Sequence, residues 1–232
     1  MVNTVLIDYN DKLAPLYDEA TAGKGAWRAP EETVKLVVPF AVPGCDVLDL
    51  GVGTGHVAIA MRDYGCHVTG VDISMRMLEI ARKKLPKSQL LHGDIAQPLR
   101  LTKPQHFDII LASGVLEFVK DADAVMRNIN SHLRNGGIVC MAYEELIPGS
   151  RVQGSPFSPR GAGFYTEIPR ELSFLVYRRT LPEMRTLLGN IGLEIVRSTI
   201  FEAYRLQRRN SRESEPVIYR AILACRSLHK RH

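Results

Sequence analysis

The chain has 232 residues, of which 45% are hydrophobic and 24% charged, as is typical of a soluble globular protein with one α/β domain. No apolar run approaches the roughly 18 residues of a transmembrane helix, and the N-terminus lacks the layout of a signal peptide, so we expect a cytoplasmic protein. The net charge of +5 is uneven, because residues 151–232 hold 15 basic against 7 acidic side chains.

Two helical segments are predicted within residues 1–40. Tyr9, Leu13, Leu16 and Tyr17 recur at a spacing that indicates one face of a helix. Pro30 followed by "EETVKLVV" indicates a second helix start, because proline is tolerated in the first turn and acids there favour the helix dipole. We therefore predict an N-terminal helical lid.

Residues 46–143 alternate short apolar runs with helical patterns. The helices are predicted at residues 55–65, at 74–85, and before a stop at Asn135-Gly136-Gly137. The strand candidates are residues 46–50, 67–72, 89–94, 107–113 and 137–143. Strands that alternate with helices predict a parallel sheet covered on both faces.

The remainder of the chain changes character. Residues 147–170 carry four prolines and four glycines without periodicity, which predicts a long functional loop. Thr180 and Glu183 fit the capping box of a last helix. Residues 193–201 and 217–225 indicate two last strands in a hairpin. We expect a single domain over 1–232, with a core at 46–143, a substrate-side insertion at 147–180, and the last helix and hairpin at 181–225.

The stretch "DLGVGTG" at residues 49–55 follows the first predicted strand. A dinucleotide site requires G-x-G-x-x-G, but His56 occupies the sixth position, and no Gly-Lys-Ser/Thr of a P-loop follows. The pattern resembles the first motif of the class I S-adenosylmethionine-dependent methyltransferases. "HGDIAQPL" (92–99), "LASGVLEFVKD" (111–121) and "HLRNGGIV" (132–139) resemble later motifs of that family, in order and spacing.

The resemblance implies the family's fold, a Rossmann-like doubly wound seven-stranded sheet, mostly parallel with an antiparallel C-terminal strand and with helices on both faces. It also implies S-adenosylmethionine as the cofactor and S-adenosylhomocysteine as the product. Asp72 would hold the ribose hydroxyls, Asp94 the adenine amino group, and Ile95 would stack on the ring. Asp49 would order the glycine loop near the methionine amino group. The full predicted cofactor-binding set is Tyr17, Trp27, Asp49, Gly51, Gly53, Gly55, Asp72, Ile73, Met77, Asp94, Ile95 and Ser113.

Several of these residues have a structural alternative. Met77 also fits a core position, and Asp94 also fits a structural turn. For catalysis, Glu117 is the first candidate for a general base, because it follows the fourth strand; Glu144 and Glu145 come next, and each also fits a loop carboxylate. The four cysteines form no CxxC pair, so we expect free thiols and no metal site.

The acceptor must be recognised by segments outside the core at residues 46–143. Aromatic and basic residues of the long loop are candidates for a pocket that takes an aromatic or acidic small molecule: Phe157, Phe164, Tyr165, Arg151, Arg160 and Arg170. Three hypotheses remain open: a small-molecule N- or O-methyltransferase, a methyltransferase acting on RNA or protein, and a non-catalytic cofactor-binding partner. We expect a monomer or homodimer without membrane contact, and a small-molecule acceptor in preference to a nucleic acid, which stays open as the alternative.

Overall fold

A computed structural model describes residues 4–22, 27–101, 106–160, 174–207 and 214–226. Its helices are α1 (Thr4–Ala20), α2 (Ala29–Val37), α3 (His56–Asp63), α4 (Met75–Lys84), α5 (Ala122–His132) and α6 (Leu181–Gly189). Its strands are β1 (Asp46–Leu50), β2 (His67–Asp72), β3 (Gln89–His92), β4 (Phe107–Ser113), β5 (Leu133–Glu144), β6 (Phe157–Arg160), β7 (Phe174–Tyr177), β8 (Leu193–Gln207) and β9 (Ser214–Arg226). None of these helices is both long and apolar enough to cross a bilayer.

Seven strands form one mixed sheet in the order β3-β2-β1-β4-β5-β9-β8. The first five strands are parallel, and β9 runs antiparallel to both of its neighbours, β5 and β8. The strand order reverses between β1 and β4, which in doubly wound sheets opens a ligand crevice at the carboxyl ends of the strands. The predicted fold class is confirmed.

Alternate residues of the central strands are buried against different helices. Val47 of β1 packs into a cluster with α2, α3 and α4, whereas Leu48 packs into a cluster with α5 and α6. Both residues are fully buried, as expected for a parallel strand with helices on both faces. The start of α4 is fixed by Ser74, whose side chain accepts a hydrogen bond from the Met77 amide, and this places the preceding Asp72 at the crevice.

The start of β5 differs from the sequence prediction. Residues Asn135-Gly136-Gly137 were expected to separate helix from strand, but β5 begins at Leu133, which pairs with Phe107. The intervening residues form an irregularity in the ladder, and Gly136 has a φ of 80° there. Leu133 enters the sheet because its side chain is buried with α5, which outweighs the local turn signal.

The prediction of an irregular loop over residues 147–170 is wrong in part. Phe157–Arg160 forms β6, which pairs antiparallel with β7 in a separate two-stranded sheet. Pairing with a segment 14 or more residues further along the chain leaves no periodic signal, and Pro159 argues locally against a strand. In contrast, the capping box of α6 between Thr180 and Glu183 is confirmed.

Helix α1 lies over the carboxyl end of the sheet and contacts α4. Leu6, Tyr9 and Leu13 are buried with Met77, while Leu16, which was predicted on the same face, is half-buried. The Asp11 carboxylate accepts a hydrogen bond of 2.5 Å from Ser74 Oγ. Near the end of α1, Asp18 accepts hydrogen bonds from Thr54 Oγ1 and Lys84 Nζ. The helix is therefore anchored to the glycine loop as well as to α4.

Candidate active site

A cavity of about 780 Å³ lies at the carboxyl ends of the central strands, between the sheet and α1. Eleven of the twelve predicted cofactor-binding residues line it, together with Glu117. These eleven are Tyr17, Trp27, Asp49, Gly51, Gly53, Asp72, Ile73, Met77, Asp94, Ile95 and Ser113. Residues from Tyr17 to Glu117 of the chain thus converge on one site.

The three glycines of the first loop occupy positions that favour glycine for different structural reasons. Their φ angles are 78° at Gly51, 54° at Gly53 and 95° at Gly55, a region that favours glycine. A Cβ on Gly51 would lie 2.5 Å from Val115 Cγ2, whereas a Cβ on Gly53 would meet no described atom within 4 Å. Gly53 therefore offers open space at the cavity wall.

Gly55 is the predicted cofactor-binding residue that does not line the cavity. It precedes the first residue of α3, and a Cβ there would lie 3.0 Å from Leu85 Cδ1. Its missing side chain therefore leaves room for the Leu85 side chain at the end of α4.

Asp72 ends β2 and joins the glycine loop to α4. Its Oδ2 accepts a hydrogen bond from the Gly53 amide and its Oδ1 one from the Ser74 amide, each at 2.8 Å. Burial raises the pKa of Asp72, and these backbone bonds oppose the shift because they favour the ionised carboxylate. A carboxylate has about four acceptor positions, so both oxygens can accept further hydrogen bonds from a ligand.

Asp49 lies beside Asp72 on the neighbouring strand and is 2% exposed. Burial, and then the charge of Asp72, raise the pKa of Asp49 to about 7. Two buried carboxylates at one cavity wall attract a positively charged group, because ionisation of both is otherwise costly.

Asp94 and Ile95 line the cavity after β3, the strand next to β2. Asp94 Oδ1 accepts a hydrogen bond of 2.8 Å from the Ala96 amide, and Ile95 is buried. Asn128 of α5 donates hydrogen bonds of 2.8 Å to the carbonyls of Ile95 and Gln97. Asn128 therefore holds this turn in place, a role that the sequence did not reveal.

Glu117 lies in a 3-10 turn, Leu116–Phe118, directly after β4 and is 1% exposed. Its Oε1 accepts a hydrogen bond of 2.7 Å from the Tyr219 hydroxyl of β9. The turn is held by Arg179, which donates to the carbonyls of Leu116 at 2.9 Å and Val119 at 2.6 Å. Neither partner was predicted from the sequence, because Tyr219 lies 102 residues beyond Glu117 and Arg179 lies 63 residues beyond Leu116.

The other two candidate bases lie elsewhere. Glu144 forms a buried ion pair with Arg178 at 2.5 Å, and Glu145 pairs with Arg220. Neither carboxylate lines the cavity. The pair of Glu144 and Arg178 joins the end of β5 to the end of β7, and the pair of Glu145 and Arg220 joins the end of β5 to β9.

The aromatic residues at the acceptor end of the cavity differ from the predicted ones. Phe157 and Arg151 do not line the cavity, and Phe164, Tyr165 and Arg170 fall outside the described residues. Instead, Trp27 meets Tyr219 with a ring-centroid distance of 4.9 Å and Tyr204 at 5.5 Å. Position 219 was within a predicted strand, but only the pairing of β9 with β5 brings it to the cavity.

The described ranges contain no disulfide and no candidate metal site. Three of the four cysteines are buried free thiols, and Cys225 is half-buried. No group of three or more His, Cys, Asp or Glu side chains within those ranges is arranged to hold a metal ion.

Comparisons with known proteins agree with this arrangement. A sequence profile of a methyltransferase domain family matches residues 48–141, which run from β1 into β5. The chain is 25% identical over 185 residues to a ubiquinone biosynthesis O-methyltransferase of Xanthomonas campestris pv. campestris, covering 75% of this chain and 74% of that protein. It is 34% identical over 167 residues to a malonyl-[acyl-carrier protein] O-methyltransferase of Serratia marcescens, covering 63% and 64% respectively.

The fold is also shared with solved structures. Magnesium protoporphyrin IX methyltransferase from Synechocystis PCC 6803, whose structure contains S-adenosylhomocysteine, superposes with a TM-score of 0.69 at 20% identity. The superposition covers 97% of this chain and 100% of that one. The superposition confirms the predicted fold, and the family match confirms a methyltransferase domain. Residues 48–141 thus match a methyltransferase domain, and the chain has the fold of the class I methyltransferases.

Proposed function

We propose that the protein methylates a nitrogen or oxygen nucleophile of a small molecule. The observation that carries the proposal is the continuity of one cavity of about 780 Å³, which is lined by Gly53, Asp72 and Asp94 and also by Glu117 and Tyr219. A cavity of this size is within the range of small-molecule and cofactor sites. The helix α1 that covers it supports a small acceptor over a macromolecular one.

The residues at the carboxyl ends of β1, β2 and β3 fit the cofactor. S-adenosylmethionine, when bound, supplies a methyl group on a positively charged sulfur that leaves as a neutral thioether. The open space at Gly53 admits a ligand against the backbone. Asp72 is placed to accept from ribose hydroxyls, and Asp49 to neutralise the ammonium group. Asp94 would accept from the adenine amino group.

The residues after β4 and on β9 fit the acceptor. Methyl transfer requires the acceptor lone pair to lie in line with the bond that breaks, in a space from which water is excluded. An acceptor that carries a proton must also lose it, and Glu117 is the first cavity-lining acid that follows β4 along the chain. The Tyr219 hydroxyl fixes the orientation of Glu117 by donating to Oε1. We therefore assign Glu117 as the general base.

Nucleic acid or protein as the acceptor is the second candidate, favoured by the arginine excess of residues 151–232. Four of the described arginines do not contribute to a free basic surface. Arg178 and Arg179 are buried, and Arg205 and Arg220 form ion pairs with Glu202 and Glu145. A non-catalytic role is disfavoured by the complete set of cavity carboxylates.

The test is a methyl-transfer assay that monitors formation of S-adenosylhomocysteine with a library of small amines, phenols and alcohols, and separately with total RNA and protein. We expect turnover with a small molecule, and a loss of kcat of about 10²-fold or more in Glu117→Gln. Glu79→Gln, an exposed residue of α4, is the matched control. Methyl incorporation into RNA or protein, but not into any small molecule, would refute the proposal.

A further inference from the structure

The end of the cavity beside Glu117 contains three aromatic rings from distant parts of the chain. Trp27 precedes α2, Tyr204 belongs to β8 and Tyr219 to β9. Their centroids lie 4.9 Å (Trp27 and Tyr219), 5.5 Å (Trp27 and Tyr204) and 6.1 Å (Tyr204 and Tyr219) apart. All three residues line the cavity. We call them the aromatic wall.

Trp27 is held tightly at this end of the site. Its Cζ2 would lie 2.3 Å from a Cβ on Gly114, the residue that follows β4. The absence of a side chain at Gly114 therefore lets the indole approach the backbone beside the turn that carries Glu117. The aromatic wall and the Glu117 carboxylate consequently form one continuous surface, joined by the hydrogen bond from the Tyr219 hydroxyl.

This surface has the electrostatics of a cation site. The faces of tryptophan and tyrosine rings carry negative potential and attract ammonium groups, most strongly where water is excluded. The Glu117 carboxylate adds a buried negative charge. The buried Arg179 does not line the cavity; its guanidinium donates to the carbonyls of the 3-10 turn and also attracts Glu117 electrostatically from the side away from the cavity lining. The cationic side chains that do line the cavity, Lys120 and Arg205, are exposed, and Arg205 is paired with Glu202.

We propose that the acceptor is an amine that enters the site as its ammonium ion, bound between the aromatic wall and Glu117. This inference rests on the proposed function and narrows its acceptor class. A carboxylate or phosphate acceptor would face the charge of Glu117 in a buried site, which costs free energy. A neutral phenol would gain the hydrogen bond to Glu117 but not the attraction of a full positive charge.

The reaction balances with one proton transfer. The ammonium group gives a proton to the Glu117 carboxylate and becomes a neutral amine. The nitrogen lone pair then forms the new bond to the methyl carbon, while the electron pair of the sulfur–carbon bond remains on sulfur. The product is the methylated ammonium ion, and Glu117 releases its proton to solvent.

The test uses binding, with three probes of the same shape and different charge. They are choline, its neutral analogue 3,3-dimethylbutan-1-ol, and the anion 3,3-dimethylbutanoate. Trp27 is the only tryptophan of the chain, so its fluorescence reports on the site directly. The titrations are made on the full chain saturated with S-adenosylhomocysteine, so that the probes compete for the acceptor end of the cavity.

We expect choline to bind about tenfold more tightly than the neutral alcohol, and the anion to bind most weakly. Glu117→Gln should reduce the preference for choline severalfold, and Tyr204→Leu should reduce it further. The matched controls are Glu79→Gln and Tyr64→Leu, which alter exposed residues outside the cavity. The preference of the wild-type protein for choline over the neutral alcohol tests the amine assignment even if a cavity variant does not fold.

Equal binding of choline and the alcohol, tightest binding of the anion, or no choline binding at tens of millimolar would each overturn the amine assignment. The methyltransferase proposal would survive those results, because the protein would still have been saturated with S-adenosylhomocysteine. Failure of S-adenosylhomocysteine to bind would instead overturn the proposed function and this inference together.

Discussion

Protonation of Asp49 should control the pH dependence of cofactor binding. The carboxyl group of Asp49 has a pKa raised to about 7, because it is buried and lies near Asp72. It must be ionised to neutralise the ammonium group of S-adenosylhomocysteine, and that ammonium is itself mostly protonated below pH 7. Affinity should therefore rise as the pH increases toward 7.

The magnitude follows from the ionised fraction. With a pKa near 7, about a tenth of Asp49 is ionised at pH 6 and about half at pH 7, so Kd should fall about fivefold over this interval. Binding at pH 7 should release about half a proton. The assay is isothermal titration calorimetry in buffers of different ionisation enthalpy, which measures Kd and the number of protons released.

Two controls separate Asp49 from its neighbours. In Asp49→Asn only the smaller pH dependence that Asp72 contributes should remain between pH 6 and 7, and the affinity should be lower at pH 7. The ligand 5′-methylthioadenosine, which has the nucleoside without the amino-acid part, should bind the wild-type protein with a smaller pH dependence that reports on Asp72. An affinity that falls between pH 6 and 7, or proton uptake on binding, would refute the electrostatic argument.

Two further substitutions test the packing around the site. Gly114→Ala places a methyl group on Trp27, so we expect a shift of tryptophan fluorescence and a loss of about 1–3 kcal/mol in the free energy of unfolding. The control is Gly136→Ala, which also adds a side chain at positive φ but meets no described atom within 4 Å, so it measures the backbone cost alone. Equal losses of stability in Gly114→Ala and Gly136→Ala would contradict the contact between Gly114 and Trp27. Thr180→Ala removes the cap of α6 and should cost about 1 kcal/mol in chemical denaturation, while an unchanged midpoint would show that the capping bonds with Glu183 contribute nothing.

The cavity wall that we propose for the cofactor was predictable as a cluster because its signals are local. Asp49, Gly51 and Gly53 fall within five residues, and Asp72 ends the very next strand. Each such position depends on a strand end and a turn, which short sequence patterns describe well. Gly55 shows the limit of this reasoning, because the same pattern did not reveal that its missing side chain faces Leu85.

The proposed acceptor side of the cavity was less predictable, because tertiary pairing brings its residues together. Tyr219 reaches Glu117 only because β9 inserts between β5 and β8, which places Tyr219 opposite Glu144 in the ladder. Arg179 reaches the 3-10 turn from the far end of β7. Neither contact leaves a periodic or spacing signal, so composition pointed to the aromatic residues of the long loop instead.

Titration with S-adenosylhomocysteine tests the central claim most directly, namely that the cavity at the carboxyl ends of β1, β2 and β4 holds the cofactor through Asp72. Calorimetry on the wild-type protein should give one site per chain, and Asp72→Ala should weaken binding by about 1–3 kcal/mol, the loss expected for charge-assisted hydrogen bonds. Asp63→Ala, at an exposed aspartate at the end of α3, should bind as the wild type does. Undetectable binding by the folded wild-type protein, or equal affinity in Asp72→Ala, would contradict the account.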